Sequence, residues 1–134
     1  MSERNPVRVA DVMELDYAVI DGVATVAEAL AVMRERGAHF LIVAKRSDDD
    51  EFGIVLVADI AKQVLARNRA PERTNVYEIM SKPVLAVRQE MDIRYCARLF
   101  ENFGISAAPV IARGEIKGVV AYDQLVLKGL AQQT

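Results

Sequence analysis

Residues able to do chemistry are few in this 134-residue chain: His39 is its one histidine and Cys96 its one cysteine. An enzyme of the common kinds needs a nucleophile with a base, a carboxylate pair in a cleft or a metal cluster. Without a His/Cys cluster the usual metal sets and nucleophile pairs are missing, so the chain reads as a non-enzyme with no required cofactor and no metal site. Cys96 falls on the apolar face of an expected helix, where a thiol serves as a small hydrophobe. With no second cysteine to pair with, it points to a reducing, cytoplasmic setting. The acidic run Asp48-Asp49-Asp50-Glu51 lacks the glycine and spaced oxygen ligands of a calcium loop and reads as a solvated hairpin tip. What is left is a small polar set: the helix-start carboxylates Asp59 and Asp123, and His39, Arg88 and Ser106, whose cations and hydroxyl can pair with phosphate oxygens.

The elements that must position this set are duplicated. Asp11-Val12-Met13 returns as Glu78-Ile79-Met80 at an offset of 67 residues, Gly37-Ala38-His39 as Gly104-Ile105-Ser106, and Val43 as Val110. Gly53-Ile54-Val55 returns as Gly118-Val119-Val120 once two residues have dropped out. Repetition in one order means two copies of one supersecondary unit, each too small to bury its apolar face well, so the copies are expected to pack on each other around a cleft.

In the first copy a short strand near Ala18 to Ile20 precedes a helix with Thr25 and Glu28 as a capping box and Gly37 as its end. Strands at Phe40 to Ala44 and Phe52 to Val57 follow as an antiparallel pair. Asp59 then caps a second helix to about Arg67. The second copy repeats the plan, with Asp92 as cap, Ile93, Cys96, Ala97 and Phe100 as buried stripe, strands at Ala107 to Ala112 and Ile116 to Ala121 around a tight Arg113-Gly114 turn, and a last helix from Asp123. The expected fold class is therefore α+β, with repeats at residues 8–67 and 75–131 and a polar, proline-broken linker at 68–74.

Bulk composition narrows the partners. Seventeen Lys and Arg against nineteen Asp and Glu leave a net charge of −2, too weak a field to hold nucleic acid. With 52% hydrophobic residues there is enough for a core, yet no stretch approaches the roughly 18 apolar residues of a membrane span. No signal pattern opens the chain either, so no membrane insertion is expected.

The β-α-β-β-α unit, its opening Asp11-Val12-Met13 or Glu78-Ile79-Met80, and its Gly53-Ile54-Val55 strand running to Asp59 resemble the CBS domain. The likeness is to a tandem CBS pair covering roughly residues 8 to 131, and it includes Thr25 to Leu30, Gly104 to Val110 and Gly118 to Leu125. It implies a regulatory module in which two repeats pair about a pseudo-two-fold axis and their cleft takes an adenosine compound such as AMP, ADP, ATP or S-adenosylmethionine. It also implies a homodimer formed through the helices, and signalling in trans to an effector protein the sequence does not name.

By the family pattern the slot for the base has walls from Val19, Ile20, Phe40 and Leu41 and from the matching Ala86, Val87, Ala107 and Ala108, all of which also fit plain core strands. Asp59 corresponds to the residue that in many family members accepts from both ribose hydroxyls, although a helix cap explains it equally and the position three residues earlier is Leu56 where Thr or Ser is common. In the second copy the equivalents are Ala121 and Gln124, with Asp123 displaced by one place, which makes that site the weaker one. His39, Arg88 and Ser106 are the phosphate candidates, and neither copy has a Gly-rich phosphate loop. The rival reading is a ligand-independent interaction module whose cleft is filled by its own side chains.

Overall fold

The computed structural model describes residues 6–82 and 85–132. Its described residues fall into two compact units, one from residues 17–84 and the other from residues 1–16 together with 85–134. These units do not follow the repeats. Each joins the body of one copy to the opening segment of the other, α1 (Val9–Val12) from the first copy and the turn Val76–Glu78 from the second.

In the unit of residues 17–84, β1 (Val19–Ile20) runs parallel to β2 (Phe40–Val43), which pairs antiparallel with β3 (Gly53–Leu56). The helix α2 (Val26–Arg36) lies between β1 and β2 in sequence; the Thr25 side chain accepts from Glu28 N, and Gly37 closes the helix at φ 63°, a left-handed position that a side chain would strain. After β3 the chain turns directly into α3 (Val57–Ile60), which widens into a π-helical turn over Ala61–Leu65. Ile20, Val26, Ala29, Met33, Leu41, Val43, Val55, Ile60 and Val64 form the core. Val76 and Ile79, from the opening segment of the second copy, complete it.

The other unit repeats the plan. Here α4 (Ile93–Phe103), capped by Asp92 onto Arg94 N, packs with β4 (Ala107–Ala112), β5 (Glu115–Ala121) and the final π-helical segment Gln124–Leu130. Among the described residues the strand before α4 is represented by a single parallel bridge, Val87 to Val110. Val7, Val9 and Val12 of the first copy's opening fill the core beside Cys96, Phe100 and Ala108. Cys96 is a free, fully buried thiol whose pKa burial pushes up to about 11, as suits a small hydrophobe.

The exchange is reciprocal bond by bond. Val26 N donates to Thr74 O and Val76 N to Ala24 O, while Ile93 N donates to Val7 O and Val9 N to Met91 O. Ser81 and Ile54 exchange both backbone bonds, as do Glu14 and Val119. Thr74, placed in the linker by the sequence, is therefore a buried member of its unit, its hydroxyl donating to Ala70 O. Among the described residues no helix is long and apolar enough to cross a membrane.

Candidate ligand site at the strand–helix junctions

Each unit gathers its candidate residues at one end of its hairpin, where the second strand passes into a helix. In the first copy Phe40 pairs with Leu56, and His39 O accepts from Val57 N at 3.0 Å, which brings His39, Phe40 and the start of α3 together. In the second, Ala107 pairs with Ala121, and Ser106 O accepts from Tyr122 N. The side chains of His39 and Ser106 are solvent-exposed.

Strand alternation divides the expected slot residues between two faces. Ile20 and Leu41 belong to the helix-packed core of their unit, and Val87 and Ala108 to that of theirs. Val19 and Phe40 lie on the opposite face with Ile42 and Leu56, while Ala107 shares a face with Ala121 and Pro109. Ala86, one place from Val87, is exposed. Only one residue of each neighbouring pair can thus present its side chain to a ligand on the face away from the helices. Ile42 on that face is also fully buried.

Asp59 is not the N-cap that the sequence suggested. Leu56 holds the cap position, and Asp59, three residues on, reaches back so that its Oδ2 accepts from Leu56 N at 2.9 Å. Leu56 has no side-chain acceptor, so only this half of a capping box exists. Among the described residues the same reach occurs three more times: Asp11 accepts from Arg8 N, Glu78 from Asn75 N and Gln124 from Ala121 N. The acid of Asp-Val-Met and Glu-Ile-Met is thereby explained as a backbone tie that starts a helical turn. The usual signature is absent at Asp11, where Arg8 holds the cap, but present at Glu78, where the cap is Asn75.

The two junctions differ in polarity. Asp59 Oδ1 takes no hydrogen bond among the described residues and so remains an uncommitted acceptor at a half-buried position. Desolvation of this half-buried carboxyl pushes its pKa up, and the Leu56 N–H and the Lys62 charge pull the other way. In the second copy Gln124 Oε1 is committed to Ala121 N at 2.7 Å. Its free end must then be the amide NH2, a donor. Asp123 is exposed at the first turn and takes no part in the tie.

Arg88 does not join Ser106 or Gln124. Val87 is bonded to Pro109 O and Ile111 N, which carries Arg88 toward the far end of β4, about five residues or roughly 17 Å along the strand from Ser106.

Two units of one plan, each with a strand–helix junction tied by a residue at the third helical position, define a duplicated α+β module. The CBS domain family model matches residues 9–66 and 76–128, and the chain belongs to that family as a tandem pair. It is similar to the hexameric CBS-CP12 protein from bloom-forming cyanobacteria, at 34% identity and a TM-score of 0.92 over 97% of this chain and 76% of that one. A CBS-domain protein from Burkholderia ambifaria is 27% identical with a TM-score of 0.84, over 96% of this chain and 97% of that one. A CBS domain pair solved in complex with 5′-methylthioadenosine and S-adenosyl-L-methionine shares the fold at 19% identity and a TM-score of 0.81, over 97% of this chain and 100% of that one. Among curated relatives, homoserine O-acetyltransferase of Methanosalsum zhilinae is 32% identical over 90% of this chain, which spans 24% of that protein. An uncharacterized protein of Methanopyrus kandleri is 25% identical over 90% of this chain, which spans 61% of it.

Proposed function

We propose that the chain is a regulatory sensor that binds an adenosine compound at the Asp59 junction and passes the binding event to a separate effector protein. The observation that carries this reading is the uncommitted Oδ1 of Asp59: an oxygen of a half-buried carboxylate, held in place by the bond of its twin to Leu56 N and left for a ligand donor. A ribose diol supplies two such donors. Phe40 offers the adjoining apolar surface for a base, and the exposed His39 precedes it, its carbonyl accepting from Val57 N. AMP, ADP, ATP and S-adenosylmethionine share that ribose, and the fold neighbour with bound S-adenosyl-L-methionine supports the class.

Asp59→Asn tests it. Asn can still accept from Leu56 N but then turns an NH2 outward, so adenosine affinity by calorimetry is expected to fall about tenfold or more, the worth of a hydrogen bond to a charged group. The melting temperature without ligand should barely move. Affinity should also fall with acid, because a protonated Asp59 no longer accepts from both hydroxyls, and the loss begins above the pH of about 3.9 at which an ordinary aspartate titrates. Stability carries the matching sign: a carboxyl raised in the fold stabilises below its unfolded pKa and loses that contribution as pH rises, so wild type should gain on Asp59→Asn as pH falls. Equal affinity in the variant would leave Asp59 a backbone tie only.

A second reading, a ligand-independent interaction module, is favoured by Leu56 and by the donor end of Gln124. No melting shift with AMP, ADP, ATP or S-adenosylmethionine would select it, since a ligand at a hundred times its Kd adds about 2.7 kcal/mol. Either reading includes a homodimer through the helix faces that carry exposed Leu65, Leu127 and Leu130. Light scattering should give twice the chain mass at micromolar concentration, and a monomer there would remove the dimer.

A further inference from the structure

The end of the β4–β5 hairpin remote from Ser106 and Gln124 carries a groove of about 630 Å³ lined by Arg88, Gln89, Glu90, Ile111, Ala112 and Arg113. A volume of that size suits a small molecule. A second depression of about 370 Å³ continues from it past Arg88 and Glu90 to Met91, Asp92 and Tyr95. We propose that this groove binds a small ligand bearing a diphosphate, with Arg88 and Arg113 as its two holders.

Charge is the first support. Neither guanidinium has an ion pair or hydrogen bond among the described residues. Glu90 is the one carboxylate in the lining of the groove, and Asp92 of the adjoining depression already accepts from Arg94 N. The groove itself therefore carries two cations against one carboxylate in a chain whose net charge is −2.

Backbone placement is the second. Arg113 and Gly114 form the two-residue loop between the paired Ala112 and Glu115, with φ of 55° and 78°. Such a loop favours Asn or Gly at its first position, and Arg there accepts left-handed strain to place its side chain beside the groove. Arg88 is fixed from the neighbouring segment, since Val87 donates to Pro109 O and accepts from Ile111 N. Two guanidinium forks thus start from rigid backbone on adjacent segments. One fork saturates a carboxylate, whereas two phosphoryl groups offer oxygens to both.

Calorimetry of the full chain with inorganic pyrophosphate at low salt tests the site. The expected result is saturable one-to-one binding, weakened at least tenfold in Arg88→Gln and in Arg113→Asn. Added salt should lower the affinity. Arg113→Asn should melt no lower than wild type, because Asn tolerates the loop position, so its loss of binding cannot come from misfolding. Asp59→Asn should bind pyrophosphate like wild type, which separates this groove from the junction. No saturable binding, unchanged affinity in both arginine variants, or a matching loss in Asp59→Asn would each overturn the proposal.

Discussion

A fragment cut at the sequence repeat, residues 8–67, is expected to stay unfolded, whereas residues 17–84 should fold cooperatively. The first fragment keeps Val9 and Val12, whose core partners Phe100 and Ala108 are gone, and it lacks Val76 and Ile79, which complete its own core. Burying an aliphatic side chain contributes about 1.5–3 kcal/mol, so losing two removes a large part of the roughly 5–15 kcal/mol that holds a domain together. The cut also leaves Val26 N and both Ile54 backbone groups without their bonds to Thr74 and Ser81. Residues 17–84 retain all of these. Dispersed amide signals and a sigmoidal urea transition for 17–84, with neither for 8–67, are the expected observations, and the reverse pattern would refute the exchanged core.

The second large effect is expected at Gly118. A Cβ there would lie 2.9 Å from Glu14 O and 3.0 Å from Met13 Sδ, because the first copy's opening segment crosses directly over this strand. Gly118→Ala must push the Glu14 backbone away from Val119, breaking a paired bridge, and should cost about 1–3 kcal/mol as other forced fits in packed interiors do. Gly118→Val should cost more. The equivalent Gly53 meets Met80 Sδ at 3.0 Å and Ser81 O at 3.1 Å, so its nearest obstacle is the end of a flexible side chain. Gly53→Ala should accordingly be the milder change. Urea midpoints of the two alanine variants decide the order.

These glycines show which parts of the fold could be read from sequence. The helices Val26–Arg36 and Ile93–Phe103 were legible because their signals are local: Thr25 and Asp92 at the start, Gly37 and Gly104 in left-handed conformation at the end. The hairpins were legible from apolar runs around turn residues. The exchange of opening segments was not, since a repeat in sequence fits either pairing at an offset of 67 residues and only the crossing over Gly53 and Gly118 distinguishes them.

The site was half legible. Asp59 and Gln124 were correctly matched across the copies, and both prove to tie the first turn of the helix that follows their strand. The apolar slot was blurred because neighbouring strand residues face opposite ways, and a list of consecutive residues takes in both faces. The height of Arg88 on the sheet was not legible, because the Val87–Val110 bridge that sets it is a long-range pairing.

The traded opening segments also set an order of completion during synthesis. Everything needed for residues 17–84 has left the ribosome long before the last hairpin exists, so that half can close at once. The strip bearing Val7, Val9 and Val12 has no home until Gly118 to Val120 emerge more than a hundred residues later, and at about 5–20 residues per second it waits for several seconds with its valines open to water. A nascent chain stalled before that hairpin would hold one finished half and one sticky tail.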